Sequence, residues 1–384
     1  MKKDLGLYLH VPFCVKKCDY CDFLSKEAAE EEKEAYVDAL IKEIKSYKKF
    51  AGNYKVSTVF VGGGTPSCLR AEQTKRIFDA LYEIFEFVKH PEITTEMNPG
   101  TVDREKLEVY KACGINRLSI GMQSVKDENL KVLGRIHNFE QLLEAYQLSR
   151  EAGFTNINLD LMSSLPSQTK EEWEEELQKT VELNPEHISA YQLIIEEGTP
   201  FYEKYDAHPE LLPNEEESRA IYQTTKRILE ANGYMQYEIS NYARDGYECR
   251  HNVGYWIRRD YLGFGIGAAS LIDNVRFQNE KSLGAYLAHP LESREEEQTL
   301  TVQDRMEETM FLGLRLTRGV SCVDFAEQYG RTVEEVYGEV IARNVADGLL
   351  TVTERKENQK KDRLLALTKR GLDLSNYVIA QFLF

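Results

Sequence analysis

The sequence lacks the features of a membrane-spanning, secreted or nucleic-acid-binding protein. It has no run of about 18 apolar residues, the length needed to cross a bilayer. Its first residues, MKKDLGLYLHVPFC, do not form a signal peptide, because His10 and Pro12 interrupt the apolar stretch and no small-residue cleavage site follows. A net charge of −16 over 384 residues opposes binding to DNA or RNA. We therefore expect a cytoplasmic protein, and leave open whether it associates peripherally with a membrane.

Cysteine is also scarce, with seven residues in the chain. Three of them, Cys14, Cys18 and Cys21, fall within the single stretch LYLHVPFCVKKCDYCDF (7–23). In a reducing compartment, cysteines spaced this closely indicate metal or redox chemistry rather than structural disulfides. The other four are scattered, and we expect each to be a small buried apolar residue. They are Cys68, Cys113, Cys249 and Cys322.

Residues 5 to 195 alternate between short β-rich runs and helical stretches. In 35–44 and 76–85, apolar residues recur at spacings of three and four, which predicts helices with one buried face. Six strand–helix units in succession predict a parallel sheet, either doubly wound or curved like part of a barrel. The predicted strands are 6–11, 56–61, 93–97, 117–121, 157–162 and 187–195.

The pattern changes from about residue 241. Residues 241–290 are rich in Gly, Tyr, Asn and Arg, and residues 301–384 are mostly helical with a two-stranded ribbon, LLTVTE and RLLALT. Helices with such a ribbon can form a winged helix, a fold that often binds DNA. However, residues 301–384 contain 12 Lys plus Arg against 13 Asp plus Glu, so the basic surface of a DNA-binding module is missing. We expect no nucleic-acid partner.

Three interpretations of Cys14, Cys18 and Cys21 are open. The spacing of four and then three would form one stripe of buried thiols on a helix, but Pro12 and the aromatic-rich sequence make a regular helix unconvincing. His10 would complete a Cys3His zinc set, although structural zinc sites usually come as two separated pairs. We favour an iron–sulfur cluster, because three cysteines would leave one iron of a 4Fe–4S cube for a non-protein ligand.

The CxxxCxxC pattern, with Tyr20 before the third cysteine, resembles the signature of the radical SAM enzymes. In that family the amino and carboxylate groups of S-adenosylmethionine (SAM) chelate the open iron, and the reduced cluster cleaves the sulfonium. The resemblance implies that Cys14, Cys18 and Cys21 hold a 4Fe–4S cluster and that SAM is a second cofactor.

The resemblance extends along the chain to the group that contains oxygen-independent coproporphyrinogen oxidases and HemW-type haem chaperones. It implies an α/β fold: a partial six-stranded (β/α) barrel with a C-terminal, mostly helical, winged-helix-like domain. We expect a barrel in residues 1–240, a connecting region in 241–300 and a helical domain in 301–384. The motifs that carry the resemblance are YLHVPFC, VGGGTPS, TEMNPG, SIGMQS, LGRIHN and NLDLMSSLP.

Most of these motifs follow a predicted strand, and the carboxyl ends of barrel strands share one face. By resemblance, Gly63, Gly64 and Thr65 hold the methionine end of SAM. Glu96 would meet its ammonium group and Arg135 its carboxylate, where a guanidinium suits two oxygens.

The same resemblance implies roles for four further side chains. Gln123 and Asp160 would bind the ribose hydroxyls of SAM. Tyr8 and Tyr20 would line the site near the cluster.

Two features distinguish the members of this group. The oxidases resemble CxxxCxxCxC, whereas this chain has Phe23 at the position of the additional cysteine. The segment RHNVGYW (250–256) resembles the HNxxYW motif of the haem chaperones. This likeness implies a haem site in which His251 ligates iron, beside Asn252, while Tyr255 and Trp256 cover the macrocycle.

Other residues near the motif suit the same cargo. Arg250, Arg258 and Arg259 would supply positive charge for haem propionates, and Cys249 is a rival iron ligand. A packed core histidine is the alternative interpretation of His251. The nearby GFGIGAAS (263–270) lacks a dinucleotide fingerprint, so we interpret it as a tight turn or close backbone packing.

We therefore expect a haem chaperone that binds haem as cargo and passes it to haem-requiring acceptor proteins, including those of the respiratory membrane. Radical chemistry, which would need an electron donor, is left open, as is a homodimer. The alternative function is an oxygen-independent coproporphyrinogen III dehydrogenase, which decarboxylates propionates oxidatively.

Overall fold

The computed structural model describes residues 2–292, 294–357 and 360–383. Its strands form one large sheet, which runs through most of the chain, and one small sheet near the C-terminus. The strands, β1 to β15 in chain order, are Lys3–Val11, Tyr54–Gly63, Phe87–Met97, Arg117–Gln123, Ile157–Ser163, His187–Gln192, Met235–Gln236, Asn241–Ala243, Tyr261–Phe264, Ala269–Ile272, Val275–Asn279, Arg294–Thr299, Val320–Ser321, Leu350–Glu357 and Lys360–Leu367.

Helices connect most of the strands of the large sheet and make up much of the C-terminal region. Short 3₁₀ turns lie at Pro66–Cys68 and Pro209–Leu211. The α-helices, α1 to α16, are Glu30–Ser46, Lys48–Ala51, Ala71–Ile84, Arg104–Ala112, Asp127–Val132, Phe139–Glu151, Lys170–Glu182, Pro200–Tyr205, Glu215–Ala231, Arg250–Trp256, Leu283–Ala288, Val302–Gly313, Cys322–Tyr329, Val333–Ala346, Lys369–Asp373 and Ser375–Ala380.

The six predicted strand–helix units are confirmed. Strands β1 to β6 are parallel and lie side by side in sequence order. A doubly wound sheet would reverse its strand order at a switch point, so the order selects the partial barrel. The barrel is not closed, because β9 pairs with the free edge of β1 and β8 pairs with that of β6. The last strand ends at Gln192 rather than at 195 as predicted.

Burial on both faces explains why the central strands have continuous apolar sequences. Every residue of β4 is buried, as in strands covered on both faces. Several of the helices that cover them end just before glycines that adopt the left-handed conformation. Gly114, Gly153 and Gly233 have φ angles of 79°, 84° and 82°.

Residues 241–300 continue the large sheet. β9 pairs with β1 in parallel, and β10 to β12 extend the sheet antiparallel. Within GFGIGAAS, a Cβ on Gly263 would lie 2.3 Å from the carbonyl oxygen of Ala269. Gly265 has a φ of 90°, and its N–H donates to the buried Glu43 carboxylate. The prediction of a tight, closely packed turn is confirmed.

The C-terminal region has its own hydrophobic core, contributed by residues from Met306 to Phe382. The predicted ribbon is present as the antiparallel pair β14 and β15, to which β13 adds a third strand. With α12 to α16, this arrangement agrees with the winged-helix-like expectation. Among the described helices, none is both long and apolar enough to cross a bilayer.

Candidate functional site

A cavity of about 510 Å³ lies at the carboxyl ends of the barrel strands. It brings together residues from β2 to β6 and from the loop after β1. All three cysteines of the CxxxCxxC motif line it, and so do the residues predicted to bind SAM, with Tyr8 as the exception. The predicted residues on its wall are Cys14, Cys18, Tyr20, Cys21, Gly63, Gly64, Thr65, Glu96, Gln123, Arg135 and Asp160.

The cysteine segment is a loop that follows β1. It contains no helix, so the alternative of three buried thiols on a helical stripe is wrong. Backbone bonds fix the ends of the loop: the Cys14 N–H donates to the Lys26 carbonyl at 2.9 Å, and the Cys21 N–H donates to the Cys18 carbonyl at 3.2 Å. The three thiols are free and partly exposed, so they are accessible to a cluster.

The structure also argues against the zinc alternative. One ring nitrogen of His10 lies 3.0 Å from the Tyr8 hydroxyl, and the other lies 2.8 Å from the Leu24 carbonyl oxygen. Both nitrogens are therefore engaged away from the cysteines. In the described residues, no three His, Cys, Asp or Glu side chains converge as ligands of one ion. A 4Fe–4S cluster requires no such convergence, because each cysteine binds a different iron.

The glycines after β2 form a close backbone cradle. A Cβ on Gly64 would lie 2.7 Å from the Phe13 carbonyl oxygen and 3.0 Å from Cys14 Sγ. Gly63 has a φ of 111°, and a Cβ there would meet the His10 ring at 2.7 Å. No other residue fits these positions without displacement, so the backbone comes close to whatever the thiols hold.

Two largely buried acids, Glu96 and Asp160, line the cavity. Burial, and next the charge of Asp160, raise the pKa of Glu96 to about 8. Burial likewise raises the pKa of Asp160, whose carboxylate accepts hydrogen bonds from Asn158 and Ser119. Glu96 accepts the Gly63 N–H at 3.2 Å and has no ion-pair partner in the described chain. A buried acid without a partner charge is stabilised in its ionised form when a cationic ligand group, such as an ammonium, lies beside it.

Sequence reasoning missed several residues of this cavity, among them Asn98 and Tyr191. Asn98 joins two predicted residues: its Nδ2 donates to Thr65 Oγ1 at 2.8 Å, and its Oδ1 accepts from Arg135 at 2.6 Å. Tyr191 donates to Gln123 Oε1 at 2.8 Å. Asn98 belongs to the TEMNPG motif at a strand end, which was the available signal.

Arg135 brings a cationic side chain to the cysteine loop from the segment after α5. Its Nη1 lies 3.6 Å from Cys18 Sγ, and its Nη2 donates to the Gly121 carbonyl at 2.8 Å. Gly121 leaves room for this contact, since a Cβ there would lie 3.0 Å from Nη2. The guanidinium therefore lies where it can stabilise both thiolate charge and a ligand carboxylate.

Of the two tyrosines predicted near the cluster, Tyr20 lines the cavity and Tyr8 does not. Tyr20 faces the cavity and packs edge-on against Phe201, with ring centroids 6.2 Å apart. Tyr8 lies on β1, outside the cavity wall. Burial, and next the charge of Glu96, raise the pKa of the Tyr8 phenol, so this phenol stays neutral.

The HNxxYW motif lies elsewhere, on α10, which contacts β2 below the cavity. The N-terminus of α10 is capped by Glu92 of β3, whose carboxylate accepts the backbone N–H groups of Arg250 and His251 at 3.1 and 3.0 Å. Glu92 pairs across the sheet with Thr58, and Thr58 pairs with Gly6 of β1. These residues precede the carboxyl ends of their strands, so the motif and the cysteines are separated along the barrel.

His251 is buried inside the barrel, with 3% of its surface exposed. One ring nitrogen lies 2.9 Å from Thr58 Oγ1 and the other 2.9 Å from the Tyr255 hydroxyl. Burial, and next the nearby arginines, lower the pKa of His251 to about 3, so the ring is neutral. Iron ligation by His251 would require one of these hydrogen bonds to break, and it stays a prediction.

The other motif residues lie nearer the surface. Asn252 and Tyr255 are half-buried. Trp256 is half-buried too, and the Arg315 guanidinium lies 4.4 Å above its ring. Cys249, the rival ligand, is buried, which raises the pKa of its thiol to about 12.

The three arginines beside the motif already have partners in the fold. Arg250 donates to the His90 carbonyl at 3.0 Å, and Arg259 pairs with Asp4 at 3.1 Å. Arg258 forms a nearly buried ion pair with Glu308, 2.8 Å long. Haem propionates would have to compete with these partners.

Comparisons with known proteins agree with the geometry. The family model of the Radical SAM superfamily matches residues 8–180, and that of the HemN C-terminal domain matches residues 300–374. The chain is 34% identical to the heme chaperone HemW of Lactococcus lactis, over 100% of this chain and 98% of that protein. The chain belongs to the HemW family of radical SAM proteins.

Other family members show the same likeness over most of their length. The heme chaperone HemW of Bacillus subtilis is 35% identical, over 98% of each chain. That of Escherichia coli is 37% identical, over 90% of this chain and 92% of its own. Among solved structures, coproporphyrinogen III oxidase (HemN) from Escherichia coli superposes with a TM-score of 0.83 at 26% identity, over 99% of this chain and 90% of that one.

Proposed function

We propose that this chain is a haem chaperone, which binds haem and passes it to haem-requiring acceptor proteins from a radical SAM core. The observation that carries the proposal is the full-length likeness to proteins named heme chaperone HemW, at 34–37% identity. The likeness to the oxidase HemN is weaker in sequence, at 26% identity, although the fold is shared. Since a fold alone does not fix a function, we give the sequence relationship more weight.

The proposed cofactor site is the cavity at the carboxyl ends of the strands. Cys14, Cys18 and Cys21 would hold three irons of a 4Fe–4S cluster, and SAM would occupy the fourth. When bound, this pair of cofactors supplies one-electron chemistry. The free thiols, the glycine cradle and the largely buried Glu96 side chain, which has no ion-pair partner among the described residues, all support the assignment.

Each residue that we propose to contact SAM lines this cavity. The backbone of Gly63 and Gly64, with Thr65, would hold the methionine end. Glu96 would meet the ammonium group, and Arg135 would meet the carboxylate. The cavity is only partly enclosed by the barrel, so Tyr20 would help to shield the cluster from water.

The opposite wall would hold the ribose of SAM. Gln123 and Asp160 line that wall and would bind the hydroxyls. Both are held in place by neighbours, Gln123 by Tyr191 and Asp160 by Ser119. Tyr8 would act from behind the wall, through the His10 ring.

The separation between the cofactor cavity and the HNxxYW motif supports a function as a haem carrier rather than as an enzyme that acts on a porphyrin. Tyr8 and Phe60 lie between them: Phe60 stacks on Tyr8, with ring centroids 6.5 Å apart, and on His251 of the motif, with centroids 5.4 Å apart. A substrate of radical chemistry must reach the SAM cavity, whereas a cargo does not. A haem site at the motif, with Asn252, Tyr255 and Trp256 around it, would therefore work independently of the cluster.

The alternative is the oxidative decarboxylation of coproporphyrinogen III. Phe23, which stands where the oxidases have a further cysteine, is 61% exposed at the rim of the cofactor cavity. It cannot act as a thiol there. We expect the chaperone to act in the cytoplasm on acceptors that include respiratory membrane proteins, and a homodimer is compatible with the proposal.

The test is a haem titration of the anaerobically reconstituted protein, followed by absorbance. We expect saturable binding of one haem per chain, followed by transfer of this haem to membranes from haem-depleted cells. Albumin loaded with haem is the control for passive transfer. A chain that binds no haem, or that releases it no faster to acceptors than albumin does, would contradict the proposal.

A further inference from the structure

Gln123 adopts a backbone conformation that is rare outside glycine. It is the last residue of β4, and its φ angle of 64° lies in the left-handed region. The pairing of β4 with β5 shifts register here, so that Met122 and Gln123 together oppose the single residue Leu161. The Ser124 N–H donates to the Met122 carbonyl at 2.9 Å, which closes a tight turn around Gln123. A bulge of this kind redirects a side chain, and here the Gln123 side chain lines the cofactor cavity.

This conformation is strained and needs support from its surroundings. A residue other than glycine at positive φ costs free energy, and it persists only where its neighbours hold it in place. Tyr191 fixes the end of the Gln123 side chain, because its hydroxyl donates to Oε1 at 2.8 Å. That bond does not fix the backbone of the turn, so a second contact must hold the turn itself.

Glu176 of α7 supplies this second contact. Its Oε2 accepts the Ser124 hydroxyl at 2.5 Å and the Val125 N–H at 3.1 Å, and these two residues directly follow the strained one. Its Oε1 accepts the side-chain amides of Asn129 and Gln168 at 3.1 and 2.9 Å. The side chain is fully buried, so its oxygens need these partners. One oxygen therefore holds the turn, and the other binds two neighbouring side chains.

Glu176 acts from outside the cavity. The described residues on the cavity wall include Gln123 but not Glu176, so the carboxylate can affect a ligand only through the turn. A carboxylate that served the packing of α7 alone would change the stability of the fold and leave the cavity as it is. The two roles therefore predict different effects on ligand affinity.

We propose that Glu176 is a positioning residue, whose buried carboxylate holds the strained turn at Gln123 and so orients the Gln123 side chain toward SAM. The proposal rests on the proposed SAM site and deepens it by adding a residue behind the cavity wall. Without this carboxylate, the turn would relax to a negative φ and the Gln123 amide would leave its place. SAM affinity would then fall in proportion to the fraction of molecules that still present the amide.

The test measures SAM affinity by equilibrium dialysis of the anaerobically reconstituted full chain. Glu176→Leu removes both oxygens and should weaken SAM at least about 10-fold, since few molecules would keep the left-handed conformation. Glu176→Gln keeps one acceptor oxygen for the turn, and its affinity should stay within about 3-fold of the parent. Glu43→Leu makes the same change at another buried acid, outside the cavity wall. It is the matched control and should bind SAM as the parent does.

Gln123→Gly separates a positioning role from a general defect. Glycine adopts the left-handed conformation without strain and carries no amide, so this variant should bind SAM weakly whether or not Glu176 is present. Adding Glu176→Leu to Gln123→Gly should therefore weaken SAM by less than about 3-fold further. Ser124→Ala removes a single contact to the carboxylate and is the milder variant if Glu176→Leu does not fold. It should weaken SAM by about 3- to 10-fold.

Thermal unfolding and the iron content of each variant show whether the fold and the cluster are retained. Unchanged SAM affinity in folded Glu176→Leu would overturn the positioning role, and so would an equal loss of affinity in the parent and Gln123→Gly backgrounds. A parent chain that takes up the cluster but binds no SAM would overturn the SAM site and the positioning role together. Failure of the haem-chaperone function is a separate result, because it appears in the haem titration and leaves SAM affinity unaffected.

Discussion

The hydroxyl of Tyr255 lies 2.9 Å from a ring nitrogen of His251, so two residues of the HNxxYW motif satisfy each other inside the barrel. With Thr58 on the other nitrogen, the histidine has no free position. Its neutral state and burial are those of a core residue that fixes α10 against the sheet. His251 therefore has a structural role that can be measured separately from the iron ligation that the motif predicts.

Replacing His251 tests this separation. His251→Ala leaves the Thr58 and Tyr255 hydroxyls without their buried partner, which should reduce the free energy of unfolding by about 1–3 kcal/mol for each group. Urea denaturation measures this loss. Because the motif predicts that His251 ligates iron, the Soret band of the haem complex should also shift relative to the parent, and an unchanged band would show that the role of His251 is structural alone.

The cluster assignment predicts a selective effect of cysteine substitutions. Cys14→Ala should abolish the 4Fe–4S signal and reduce iron and sulfide to near background after anaerobic reconstitution, because each cysteine secures one iron. Cys113→Ala, which replaces a buried thiol away from the cavity, should retain the full cluster. Retention of a full cluster by Cys14→Ala would refute the assignment.

Glu43 should make the stability of the protein depend on pH. Its carboxylate is buried and accepts hydrogen bonds from Gly265, Asn279 and Tyr286, and burial raises its pKa to about 7. Between about pH 4.5 and 7 the folded state holds this proton and the unfolded state does not. The contribution of Glu43 to the free energy of unfolding therefore falls as the pH rises through this range, by about 1.4 kcal/mol per pH unit.

Glu43→Gln removes this titration. The difference in urea midpoint between the parent and Glu43→Gln should change from pH 5 to pH 7 in favour of the variant. Glu31→Gln, an exposed change on the same helix, should follow the parent at both pH values. A constant difference between parent and Glu43→Gln would mean that Glu43 is already ionised at pH 5.

Glu308 connects the C-terminal region to the large sheet. It pairs with Arg258 at 2.8 Å and with Arg276 at 2.9 Å, and the Arg258 and Glu308 side chains are 4% and 7% exposed. Glu308→Gln leaves the buried Arg258 charge unpaired, which should cost about 3–5 kcal/mol. Glu334→Gln, which breaks an exposed pair with Arg363, should cost less than about 1 kcal/mol.

Limited proteolysis of the folded proteins complements these measurements. The Glu308→Gln variant should be cleaved faster than the parent between the two regions, since their contact is weakened. Equal cleavage and equal stability of the two variants would show that the Glu308 pairs contribute nothing to the interface.

The barrel could be predicted from the sequence because the patterns that indicate its strands and helix ends lie within short segments of the chain. Buried parallel strands carry apolar β-branched runs, and glycines such as Gly114 end helices by adopting a positive φ that other residues avoid. The cofactor cavity could be predicted for a related reason: its residues follow strand ends, which the topology brings to one face.

The sequence did not reveal features that depend on the direction of a side chain or on pairing between residues far apart in the chain. Asn98 was not predicted to join Thr65 to Arg135, because nothing in the chain indicates where its side chain points. The pairing of Arg258 with Glu308 spans 50 residues and became visible only in the fold. The motif pattern also did not indicate that a helical spacing of four followed by one places His251 and Tyr255 on one face of α10 and Trp256 on another.

The most direct test of the account is to incubate the reconstituted chain anaerobically with SAM, a reductant, coproporphyrinogen III and, in parallel, haem. We predict that one haem binds per chain and that coproporphyrinogen III is recovered unchanged, with no protoporphyrinogen formed. Sustained conversion of coproporphyrinogen III with formation of deoxyadenosine, and no binding of haem, would contradict the account.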